Sequence, residues 1–167
     1  MTTSRIDQES GAGFQRACAS DVSEAQARWK PAPDSWSILE VVSHLYDEER
    51  EDFRVRLDYI LHHPDQPLPK IDPEGWVTER GYSQRELGPT LDNFMQERQS
   101  SLAWLRGLSE INWQALYQTP YGQISAGDMF ASWVAHDLLH LRQLVELHWA
   151  YTVDQLQPYN VDYAGRW

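Results

Sequence analysis

Two histidines one helical turn apart, His136 and His140, lie in an amphipathic stretch that runs from Ala131 to Trp149. Imidazoles at positions i and i+4 leave the same face of a helix, roughly 5–6 Å apart at Cβ, so both can reach one metal ion. A third histidine, His44, sits in an earlier stretch with its own apolar stripe, Trp36 to Phe53. An imidazole from that second helix would complete a three-nitrogen face and leave coordination positions open, as catalytic rather than structural metal sites do. Three neutral imidazoles leave a divalent ion its full charge, which would lower the pKa of a bound water or thiol. Zinc, nickel and ferrous iron all accept three imidazoles, so the donor set does not select the ion.

The alternative for each histidine is a core imidazole hydrogen-bonded to a carbonyl. The stripes weigh on this choice. In the C-terminal helix Met129, Trp133, His136, His140 and Gln143 or Leu144 follow one another, beside a second stripe of Phe130, Val134, Leu138, Leu141 and Val145. In the earlier helix Val41, His44, Glu48 and Val55 follow at spacings of three, four and seven. Polar groups on a core-facing stripe need partners, because unpaired burial costs several kcal/mol, and one shared ion would satisfy all three rings.

Glu48, one turn beyond His44, is the candidate fourth ligand or general base, although its place in the run Asp47-Glu-Glu-Arg-Glu-Asp52 also fits a solvated acid. Arg98 falls on the stripe of Leu91, Met95 and Leu102, where it could pair with a buried acid such as Glu48, hold an anionic substrate, or lie at the surface. Asp137 is about 100° from His136 around the helix and is expected to face away. Gln143 could orient a ligand from one turn beyond His140. His62 and His63 fall in a loop and His148 near a helix end, and none of them is a first choice as a ligand.

Two familiar helical metal sites do not fit. The segment His136-Asp-Leu-Leu-His140 lacks the Glu that follows the first His of a zincin protease. The paired Glu-x-x-His motifs of di-iron bundles are absent.

Four helices must position these residues. The first, about Ile6 to Ala19, is weakened by Gly11 and Gly13, each costing about 1 kcal/mol against Ala. The second is capped by Asp34 or Ser35 and runs to about Leu61, ending before His63-Pro64. The proline-rich stretch from His62 to Trp76 is expected to be a long surface loop. The third helix starts near Thr90, since Gly88-Pro89 interrupts any earlier turn, and ends at about Gly107. Ser125-Ala-Gly-Asp128 resembles a capping box and opens the fourth helix, which runs to about Trp149. Tyr121-Gly122 marks a turn in the connection before it, and the tail from Tyr151 shows no periodicity. No strand-like alternation is present. The pattern predicts an all-α four-helix bundle with long connections and an irregular C-terminal tail.

At 167 residues the chain is expected to form a single domain, 1–167, and its 8 Trp, 8 Tyr and 4 Phe predict an aromatic-rich core. A net charge of −11 without any Lys or Arg run argues against nucleic acid. The single cysteine, Cys18, excludes an intrachain disulfide. The N-terminal residues lack the charge and apolar pattern of a signal peptide, and no apolar run reaches the roughly 18 residues of a membrane span. A cytoplasmic protein without membrane partners is expected.

Trp36-Ser-Ile-Leu-Glu-Val-Val-Ser-His44-Leu, Arg98, and His136-Asp-Leu-Leu-His140-Leu-Arg-Gln143-Leu together resemble the DinB-like superfamily, over about Phe14 to Trp149. The resemblance implies a four-helix bundle whose metal is held by one histidine of the second helix and two of the fourth. His44, His136 and His140 occupy those positions. It also implies an enzyme acting on a small molecule, as a transferase dependent on a low-molecular-weight thiol or as a hydrolase, and often a homodimer. It does not select a reaction. The competing reading is a non-catalytic, stress-related scaffold that binds a metal or an apolar ligand. Substrate contacts are expected from loops such as Leu61 to Ser83.

Overall fold

A computed structural model of the chain describes residues 21–120 and 122–165. The predicted first helix, 6–19, lies outside the described residues. Helices α1 (Glu24–Arg28), α2 (Ile38–Glu51), α3 (Phe53–His62), α4 (Pro73–Glu79) and α5 (Leu87–Gly107) precede a two-stranded hairpin, and α6 (Ala126–Gln155) follows it. The widest helix contact is α2 against α5, and α6 packs along both α2 and α3.

The strongest local signals act as helix starts. Ser37, rather than Asp34 or Ser35, caps α2: Glu40 N–H donates to Ser37 Oγ at 3.3 Å and Ser37 N–H donates to Glu40 Oε2 at 2.8 Å. Ser125 and Asp128 form the predicted capping box of α6. That helix continues six residues beyond the expected Trp149. Helix α5 begins at Leu87 rather than Thr90. Pro89 falls in its first turn, where a missing N–H leaves no bond unmade.

The expected continuous second helix is divided at Asp52, whose φ of −114° and ψ of −91° leave the helical region. One such residue changes the rotational phase of the turns that follow. Phe53 then packs against Trp133, with ring centroids 6.0 Å apart. The expected loop after His62 is only partly a loop. Asp72 caps α4 through Gly75 N–H, and Pro73 occupies the first turn.

The absence of strands is also corrected. Leu116–Thr119 (β1) and Gly122–Ser125 (β2) pair antiparallel, from Leu116 opposite Ser125 to Thr119 opposite Gly122. Four-residue strands with mixed burial carry too little alternation to stand out. Gly122, with φ of +130°, adopts a conformation that side chains resist at the predicted turn.

Two apolar clusters form the interior. One joins Ala27, Leu39, Val42, Leu45, Phe94 and Leu144. The other joins Leu57, Ile60, Tyr117, Met129 and Trp133. Along α2–α3, α5 and α6 alike, the residues between these clusters are polar and buried: His44, Glu48, Glu49, Arg98 and Asp137. No helix among the described residues is long and apolar enough to cross a membrane.

Candidate metal centre

The polar layer contains the three predicted histidines. His44 comes from α2, and His136 and His140 come from the middle of α6. Each offers a ring nitrogen lying within 4.8 Å of the other two. The Nε2 atoms of His136 and His140 are 3.0 Å apart. Two nitrogens each about 2.0–2.1 Å from a single ion are separated by roughly 3 to 3.5 Å, so this spacing suits shared coordination. Glu48 joins them: its Oε2 is 2.8 Å from His136 Nε2 and 3.4 Å from His44 Nε2.

The donor chemistry fits a cation. Glu48 Oε2 is buried and, despite those short contacts, forms no hydrogen bond. His140 Nδ1 lies 2.8 Å from Gln143 Oε1. An amide oxygen accepts, so Nδ1 carries the proton and Nε2 presents its lone pair to the cluster. Gln143 thus orients His140, as its position one turn onward allows. His44 Nδ1 is buried with no hydrogen-bond partner, and this ring is held by packing. Trp36 meets it edge-on at 4.8 Å and lies parallel to His140 at 6.5 Å, while Phe53 closes on His136 at 4.8 Å.

Protonation follows the same arrangement. Burial lowers the His44 pKa to about 4, and the neighbouring rings add to the effect against the pull of Glu48. Burial, aided by His136, likewise lowers that of His140. Burial alone would raise the Glu48 carboxyl, yet the contact with His136 and the other imidazoles hold it below the ordinary value. At neutral pH the site therefore holds an ionised carboxylate beside imidazoles ready to donate lone pairs.

Arg98 is not at this centre. It is 1% exposed and pairs with Glu49 and Asp137 rather than Glu48. Nε and NH2 donate to the two Glu49 oxygens at 2.9 and 2.8 Å, and NH1 and NH2 donate to the two Asp137 oxygens at 2.5 and 2.8 Å. Trp133 Nε1–H also donates to Glu49, at 3.2 Å. Burial raises the Glu49 pKa against the opposing pull of Arg98. The expected outward course of Asp137 is overturned: Met129, Trp133, Asp137, Leu144 and Leu147 form the buried stripe of α6, and Leu138 and Leu139 are more than half exposed. His62, at the end of α3, pairs with Asp58, and His148 lies 3.0 Å from Gln26 Nε2. Neither belongs to the group of three converging ring nitrogens.

The sequence model of the DinB superfamily matches residues 15–144. The chain belongs to the DinB superfamily. Among solved structures it is similar to YfiT from Bacillus subtilis, described as a probable metal-dependent hydrolase with an unusual four-helix bundle topology. The two share 17% identity at a TM-score of 0.73, over 83% of this chain and 80% of YfiT. At that identity the likeness establishes the fold, which is the predicted four-helix bundle. No curated protein sequence matches the chain. Sequence reasoning overlooked the roles of Phe53, Glu49 and Asp137. Trp36 was visible only as part of the family motif.

Proposed function

We propose that this DinB-superfamily protein is a mononuclear metal-dependent hydrolase of a small molecule, with His44, His136 and His140 as ligands and Glu48 as general base. The observation that carries this reading is the convergence of three ring nitrogens within 4.8 Å, next to a buried carboxylate oxygen that has no hydrogen bond. The hydrolase description given to YfiT supports the same reaction class.

A divalent ion there would supply the Lewis acidity that brings the pKa of bound water towards neutrality. The residues around it divide the remaining work. Glu48 Oε2 takes the proton from the attacking water and returns it to the leaving group. Its depressed pKa keeps it ionised for the first step. Gln143 fixes the His140 tautomer, and Trp36 and Phe53 pack the imidazoles so that they converge before any ligand arrives.

Elemental analysis of untagged protein tests the reading. We expect about one zinc, nickel or iron per chain, lost in a His136→Ala/His140→Ala variant. Glu48→Gln should retain the ion and lose hydrolysis of ester and amide probes by at least about a hundredfold. If no metal binds even after reconstitution, the chain is a scaffold whose histidines only pack. If turnover requires an added low-molecular-weight thiol, the reaction is transfer rather than hydrolysis.

A further inference from the structure

A cleft of about 510 Å³ opens beside the histidine cluster, with His140 in its wall. That volume lies in the range of small-molecule sites. The cleft runs between the segment before α2 and the C-terminal half of α6, so Leu61 to Ser83 does not form it. Its apolar side is built by Trp36 and Leu147, and its polar side by Asp34, Gln143 and Glu146. Among the described residues, no lysine or arginine lines it.

Lys30 and Arg142, next in the chain to lining residues, are each paired with an acid. Lys30 Nζ is 2.8 Å from Glu40, the capping residue of α2. Arg142 Nε reaches Glu146 at 3.2 Å, but both side chains are largely exposed. Such a surface pair contributes little and exchanges readily for another cation. Trp36 lines the cleft together with the carboxylates of Asp34 and Glu146, and an aromatic ring next to anionic groups attracts organic cations. The net charge of −11 favours the same sign of ligand at long range. Gln143 lines the cleft and is polarised by its bond to His140: its oxygen accepts from the ring, which leaves the amide nitrogen as a donor.

We infer that this cleft, walled by Trp36, Asp34 and Glu146 beside His140, binds the ammonium end of a small amine-bearing substrate and presents its acyl end to the metal centre. The inference rests on the proposed hydrolase reading and adds the substrate class. Trp36 supplies the face for the cation, the two carboxylates supply countercharge, and the Gln143 amide N–H donates to an acyl oxygen near the ion. Among the described residues, an anionic substrate meets two carboxylates and only the surface guanidinium of Arg142, which is paired with one of them.

Three probes of one shape test it on zinc-treated full-length protein: benzyltrimethylammonium, the neutral benzyl methyl sulfone and the anionic phenylmethanesulfonate. A quaternary ammonium has no lone pair, so its binding reports the cleft and not the metal. Titration followed by two-dimensional ¹H–¹⁵N NMR should show the cation binding at least about tenfold more tightly than either analogue, with shifts at the Trp36 indole and the Gln143 amide. Asp34→Asn/Glu146→Gln should remove most of that preference while the zinc content stays unchanged. Equal binding of the sulfone, shifts confined to other residues, or an undiminished preference in the double variant would overturn the inference. Zinc retained without cation preference rejects the substrate class alone. Cation preference without zinc rejects the hydrolase reading and leaves the cleft.

Discussion

Replacing Arg98 by Met tests how the buried charges hold the metal centre. Arg98 is the only cation in a set with Glu49 and Asp137, and all three are buried. Its guanidinium fills both carboxylates through four hydrogen bonds of 2.5–2.9 Å. Methionine matches much of the volume but leaves two carboxylates facing each other away from water. Breaking a buried pair by removing one partner typically costs about 3–5 kcal/mol, and we expect Arg98→Met to lose about 4 kcal/mol in urea unfolding of the chelated protein. The pH dependence provides a sign test. Burial already raises the Glu49 pKa, and without Arg98 it rises further above the unfolded value. A group raised in this way favours the folded state below its unfolded pKa and loses that contribution as pH rises. The gap between variant and wild type should therefore narrow as pH falls from 8 towards 5. Neutralising the remaining partners, as Arg98→Met/Glu49→Gln/Asp137→Asn, should recover part of the loss. Glu49 and Asp137 immediately follow Glu48 and His136, so Arg98 also sets the rotation of α2 and α6 at the ligands. Zinc affinity in the folded variant should fall by about ten- to a hundredfold, the usual cost of losing an outer support. A loss below about 1 kcal/mol with unchanged zinc affinity would refute both the energetic argument and the positioning role.

Other perturbations isolate single contributions. Gln143→Leu removes the acceptor that fixes the His140 tautomer, and competition with a zinc indicator should show about tenfold weaker binding with little change in stability. In the chelated protein, the His44 pKa of about 4 against an unfolded 6.5 means the unfolded chain binds protons first. That contribution is complete above pH 6.5 and is lost as pH falls towards 4, amounting to about 3 kcal/mol in denaturant titrations, and a flat profile would contradict the burial of this ring. Ser37→Ala removes the α2 cap and should cost about 1 kcal/mol. At Gly127 an added Cβ would stand 3.2 Å from the Trp113 carbonyl, which also accepts the Gly127 N–H, so Gly127→Ala should lower the melting temperature despite the better helix propensity of alanine.

What the sequence disclosed depends on whether the partners were near in the chain. His136 and His140 are four residues apart, and the Ser125 capping box is complete within four residues, so both were legible as patterns. His44 was legible because an imidazole interrupts an otherwise apolar stripe. The run Asp47-Glu-Glu-Arg-Glu-Asp52 was opaque for the opposite reason. A dense string of charges has the composition of a solvated face, yet Asp47, Glu48, Glu49 and Asp52 are buried. Successive residues on a helix point about 100° apart, so neighbouring acids enter different surroundings. Asp47 meets Arg80 and Arg85, Glu48 meets the histidines, Glu49 meets Arg98, Glu51 meets Arg80, and Asp52 meets Arg56. Most of these partners lie tens of residues away, where no local period can reveal them. The same remoteness hid the direction of Asp137, whose partner Arg98 stands on another helix. Once Arg98 is placed between α2 and α6, the charge run ceases to look like a surface. Its acids fasten α2 to the arginines on one side and to Arg98 on another, and Glu48 alone is left to face the three imidazoles without a cation of its own. An ionised buried carboxylate beside three converging ring nitrogens is a ready set of donors for a divalent cation, and this is the physical reason to expect a metal there.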